Sequence, residues 1–142
     1  MSIDILYPQI IEKLILQLRE LRDSENRSVF KVVYLGKQAA PEDFPCILIL
    51  PGMIRLSPVT TKEDEYRIYF ELHGISASSE REGGLKDAVW RINLVSKMLT
   101  EDREFGDLVD NLEVESIDPE VERPRVRTRH EASLLVRFEK KM

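Results

Sequence analysis

The residue types able to do chemistry are few in this chain. His73 and His130 are the only two histidines in 142 residues. Each falls in a strand-like stretch among Glu or Thr, not in a spacing such as H-x-x-x-H that turns two imidazoles toward one metal ion. A structural or solvated role is therefore expected for both. Cys46 is the single cysteine, so one chain can build neither an intrachain disulfide nor a thiolate cluster, which fits a reducing compartment. It opens an apolar run after Pro45, where a buried and inert thiol is expected, because reactivity needs exposure and a cationic neighbour. Acidic residues gather at Glu63, Asp64 and Glu65 and again at Glu101, Asp102 and Glu104. A catalytic acid with a raised pKa needs apolar walls, and these groups lie in polar connections, so they read as solvated loops. The chain has no G-x-S-x-G, P-loop or G-x-G-x-x-G, and the Gly83-Gly84 pair is loop chemistry without a phosphate-binding context. No catalytic residue, metal ligand or cofactor is expected.

One run of cations stands out: Arg123, Arg125, Arg127 and Arg129 alternate along one face of a strand-like segment. Such a stripe forms a local positive ribbon. The formal net charge of -5 opposes general nucleic-acid binding, since phosphate neutralisation needs excess Lys and Arg. Glu120, Glu122 and Glu131 lie nearby, and no aromatic residues are interleaved for base stacking. Pairing with protein carboxylates, or plain solvation, is the favoured reading.

The elements that must position these residues follow from periodicity. Tyr7, Ile10, Ile11, Leu14, Ile15, Leu18 and Leu21 recur at helical spacing, and Pro8 suits a first helical turn, so a helix is expected from about Pro8 to Arg22, with Leu16 off the stripe. Asp4, Glu12, Lys13, Arg19 and Glu20 interrupt the segment from Met1 to Leu21. That removes a signal-peptide core or a membrane span, which takes ~18 apolar residues, and a soluble protein with no membrane partner is expected. After the polar turn Asp23 to Arg27, the segment Val29 to Leu35 reads as a strand closed by Gly36. Cys46 to Leu50 reads as a strand covered on both faces, and Pro51 demands a bulge or an edge before Met53 to Leu56 continue it. Ser57 to Glu65 is a polar connection, and Tyr66 to His73 alternates cleanly, with Tyr66, Ile68, Phe70 and Leu72 on one face. Gly74 to Gly84 reads as a mobile loop before a helix from about Leu85 to Glu101, with Leu85, Ala88, Val89, Ile92, Val95 and Leu99 in one stripe. Two strands close the chain, Leu112 to Ile117 and a segment ending in Leu134, Val136 and Phe138. The order α-β-β-β-α-β-β predicts a single α+β domain over residues 1–142, two helices on a mostly antiparallel sheet.

Two features suggest assembly. The second helix carries a further apolar set, Trp90, Leu94 and Met98, opposite its core stripe. Either the first helix covers that set within the chain, or another subunit does, and Trp and Met are enriched at interfaces. The alternation from Arg125 to Glu139 can also be read without a break. From Val126 to Phe138 alone it would reach ~43 Å, whereas a domain of this length has a radius of gyration of ~14 to 15 Å. Either it projects as an arm or a bend near His130 folds it back. The hairpin through Ser57 to Glu65, flanked by Met53 to Leu56, offers a second projecting arm whose edges a neighbour could pair with.

These elements resemble the tail terminator, or tail-completion, family of long-tailed bacteriophages and related contractile particles. The resemblance runs from L-I-L-Q-L-R-E-L (Leu14 to Leu21) through F-P-C-I-L-I-L-P and Y-R-I-Y-F-E-L-H-G to a long helix and two closing strands. It implies a structural, non-enzymatic virion subunit, assembled in the host cytoplasm, forming a generally hexameric homo-oligomeric ring in the virion tail. Such a ring caps the tail tube, ends its polymerisation and offers a docking surface to the head-tail connector protein, with DNA at most passing through its lumen. Trp90, Leu94, Met98, Arg55, Leu56, Arg125, Arg127 and Arg129 are then the candidate contacts with other subunits or with the tail-tube protein. Three other readings remain: a head-tail connector or adaptor, a ligand-binding or enzyme subunit using Arg125, Arg127 and His130, and a regulatory adaptor that adds a partner strand at the Pro51 edge.

Overall fold

A computed structural model describes residues 2–37, 41–121 and 128–142. Two helices and five strands follow in the order α1 (Ile3–Glu20), β1 (Val32–Leu35), β2 (Cys46–Pro58), β3 (Asp64–Ala77), α2 (Arg81–Thr100), β4 (Asn111–Val121) and β5 (Arg129–Lys141). This is the α+β order expected. The strands form one mixed sheet in the spatial order β1-β2-β3-β5-β4, with β1 parallel to β2 and every other pair antiparallel.

Periodicity explains which face is covered. On α1, Leu6, Ile10, Leu14 and Leu18 repeat every fourth residue and are fully buried, as one helix face laid on a sheet requires. On α2 the buried line is Ala88, Ile92, Val95 and Leu99. Both lines meet Ile47, Ile49, Ile68, Phe70, Leu72, Leu112, Leu134, Val136 and Phe138 in one core. An aromatic chain ties the layers together: Tyr7 stacks on Phe70 at 5.5 Å, Phe70 meets Phe138 edge-on at 5.9 Å, and Phe105 lies 4.9 Å from Phe138. Such pairs add about 0.5–1.5 kcal/mol beyond the area they bury. The opposite sheet face carries a smaller cluster, Cys46, Leu48 and Ile75 with Val32, Tyr34, Phe44 and Leu50.

Several boundaries differ from the sequence expectation. Helix α1 begins at Ile3, not Pro8, and ends at Glu20. The backbone carbonyl of Ser2 accepts from Ile5 and Leu6, and burial of Leu6 against the core holds the extra turn despite the N–H that Pro8 lacks. Strand β1 is shorter than the Val29 to Leu35 run, because Val29 and Phe30 enter the core from the preceding connection. The segment expected as a loop from Gly74 to Gly84 is ordered at both ends: β3 runs to Ala77 and α2 starts at Arg81. Gly74 is a strand residue whose missing side chain admits Ile92, since a Cβ there would lie 3.0 Å from Ile92 Cδ1. Strand β4 runs on to Val121. None of the described helices is long and apolar enough to cross a membrane.

Candidate assembly interface

Strand β1 pairs with β2 only from Cys46 to Ile49. Beyond that point β2 has β3 on its inner side and, among the described residues, no strand on its outer side. The register slips between Pro51 and Ile54, as a residue without an N–H donor inside a ladder demands. Gly52 fits the slip because a Cβ there would approach the Tyr69 carbonyl oxygen to 2.9 Å. Every residue from 51 to 62 is exposed, including Met53 at 56%, Ile54 at 45% and Leu56 at 56%. Ile54 stands opposite Ile68, and Leu56 opposite Tyr66. Cross-strand partners share a face, so both continue the core face of the sheet outward past the helices that cover it. Arg55 lies on the other face opposite Arg67. Arg67 is paired with Glu65 at 3.3 Å, whereas Arg55 reaches only Met53 Sδ, at 3.0 Å, among the described residues.

The second apolar set of α2 divides in two. Trp90 is 40% exposed and lines a groove of about 520 Å³ between α2 and β4, with Leu85, Val89 and Pro119 as apolar walls and Lys86, Asn93 and Glu120 at the rim. The Arg91 guanidinium lies 5.3 Å from the Trp90 ring centre. Leu94 and Met98 are half-buried against the core and share a depression with Leu21 and the Asp23 turn. The turn that follows α1 thus lies beside two members of the set, and Trp90 stays at the surface. The Asp23 turn is held by its own carboxylate, which accepts from the Glu25 and Arg27 amides at 2.9 Å. Those amides, with the Arg27 guanidinium, hold the Asp23 carboxyl below its usual pKa.

Arg125 and Arg127 lie outside the described residues. Arg129 is described, and its guanidinium sits over the Phe44 ring at 4.7 Å, a cation–π contact within the chain. From Arg129 onward β5 pairs with β3, and from Glu131 to Glu139 it has β4 on its other side as well. Over that stretch the expected C-terminal arm is therefore a sheet interior. The alternation does hold from His130 to Phe138, with the even positions buried.

His130 is buried against Gly84, where an added Cβ would meet His130 Cδ2 at 1.9 Å, and its Nε2 lies 3.1 Å from the Ser78 carbonyl. Ser76 stands directly opposite His130, yet its hydroxyl donates to Asp87 Oδ2 at 2.5 Å. Arg91 holds the same Asp87 oxygen at 2.8 Å and donates to the Val29 carbonyl. Serine, histidine and aspartate come together here, but the hydroxyl donates to the carboxylate, and it is only 2% exposed. The network clamps α2 to the sheet.

On the open face, His73 lies between two carboxylates, with Nε2 3.0 Å from Glu71 and Nδ1 3.4 Å from the buried Glu131. Burial opposes the imidazolium, but Glu131 and Glu71 outweigh it and raise the His73 pKa above its ordinary value. Sequence reasoning missed this pairing because it depends on register: Ser133, not Glu131, is the direct partner of His73, and Glu131 reaches it diagonally. Among the described residues no group of three or more His, Cys, Asp or Glu side chains could hold a metal ion. No known family profile matches the chain, and no curated protein is significantly similar to it.

Proposed function

We propose that this chain is a structural subunit that assembles with copies of itself into a ring and caps the end of a phage-type tail tube, ending polymerisation and offering its far side to a head-tail connector. The observation that carries the assembly reading is the outer half of β2. Its edge from Leu50 to Pro58 has no strand beyond it among the described residues, and it exposes Met53, Ile54 and Leu56. An unpaired strand edge is a template for another chain, and natural folds blunt it with charge, proline or a bulge. Here Pro51 and the register slip blunt the start of the edge, and between the slip and Pro58 the one charge is Arg55. The tail-tube assignment rests in addition on the element order and the strand motifs that resemble the terminator family.

The test is tube growth. The genes flanking this chain's are searched for a tail-tube protein, which is polymerised with and without the chain, and tube lengths are measured by electron microscopy. The proposal expects shorter tubes carrying extra density at one end. Tubes of unchanged length with bare ends would refute it.

A further inference from the structure

Resting on the ring reading, we infer that the outer half of β2 in one subunit lies along β4 of the next, with Ile54 and Leu56 entering the Trp90 groove and Arg55 facing Asp118. The two surfaces stand at opposite edges of the sheet, since β4 is the last strand on one side and the Leu50 to Pro58 stretch is unpaired on the other. A contact between different patches of identical chains is heterologous, and it closes into a ring when the rotation per subunit allows.

The faces also match. On β4, Ile117 stands opposite Leu134, so it lies on the helix-covered face, and it is exposed two residues before Pro119, which walls the groove formed with α2. Ile54 and Leu56 lie on that same face of β2. A neighbour added edgewise in the same orientation brings apolar side chains to apolar groove, with Trp90 as the type of anchor that dominates interfaces. Asp118 stands opposite Ser133 on the open face, the face that Arg55 occupies on β2.

The charges left over are complementary. Between Asn111 and Val121, β4 carries Glu113, Glu115, Asp118 and Glu120 and no Lys or Arg. Glu113 pairs with Arg103, Glu115 with Arg137 and Glu120 with Arg81. Among the described residues Asp118 has no cationic partner, its Oδ1 accepting only the Glu120 amide at 3.1 Å. Arg55 likewise has no carboxylate partner among the described residues. Like-signed neighbours are disfavoured and register is set by such a pair.

The experiment mixes two variants under the condition in which the unmodified chain forms its ring. Leu56→Asp spoils the arm and keeps the groove, and Trp90→Ala spoils the groove and keeps the arm. Each alone is expected to run as a monomer of 16.5 kDa. Mixed, they retain one intact arm and one intact groove between them, so a dimer of twice that mass is expected and no ring. Should Trp90→Ala melt early by circular dichroism, Asn93→Trp replaces it, because it fills the groove from an exposed rim position. A ring surviving in either folded variant, or folded variants that stay monomeric when mixed, overturns this contact and leaves the ring itself standing. An unmodified chain that is monomeric in every condition, tail-tube protein included, overturns both.

Discussion

His73 has a carboxylate on either side of its ring. The carboxylates of Glu71 and Glu131 flank it and raise its pKa. Its folded pKa therefore exceeds the unfolded value of about 6.5. The charged imidazole's contribution to stability is fully present below that unfolded value and is lost as pH rises through the folded one. Urea unfolding of the unmodified chain and of His73→Gln should accordingly differ more at about pH 5.5 than at about pH 8.5. An equal difference at both would contradict the ion-paired state. Burial of Cys46 and the apolar line Ile68, Phe70, Leu72 were legible from residue type and alternation, whereas the His73 to Glu131 contact was not, because diagonal neighbours across a ladder emerge only once register is set.

At the scale of elements, α2 and α1 were legible in their middles and not at their starts. Periodicity identifies a buried line, but the first turn of each helix is stabilised by what it packs on. Leu6 extends α1 upstream of Pro8, and the contact of Gly84 with His130 anchors the start of α2. The adjacent glycines of α2 give a sharp contrast. A Cβ at Gly83 has Glu80 Oε2 as its nearest neighbour, at 3.7 Å, so Gly83→Ala should stabilise the protein by up to ~1 kcal/mol through helix propensity. At Gly84 the same change collides with a buried ring, and overpacking of about 1–3 kcal/mol exceeds that gain. Thermal melts should move in opposite directions, and a stabilised Gly84→Ala would contradict the packing described. On α1, Leu14→Ala should cost about 2–5 kcal/mol by emptying a core position. Leu16, off the buried line and 55% exposed, should tolerate Ala within about 0.5 kcal/mol.

For the whole molecule, the order of elements was legible because alternating and helical periods hardly overlap along this chain. The edge beyond Pro51 was legible too, because a proline inside a strand demands a bulge or an edge, whereas the inner position of β5 was not, since strand pairing across the sheet decides it. Of the two expected arms, the described part of the C-terminal one becomes a strand with neighbours on both sides from Glu131 to Glu139, and the exposed edge is the other, at Met53 to Leu56. Those side chains contribute little to the isolated fold, so Ile54→Asp and Leu56→Asp should shift unfolding by no more than about 0.5 kcal/mol while abolishing self-association. A large loss of stability in either would mean that the edge belongs to the core. Self-association itself is tested most directly by light scattering across a range of concentrations, with and without tail-tube protein. A discrete species at a multiple of 16.5 kDa consistent with a closed ring is predicted. A mass of 16.5 kDa under every condition would contradict it.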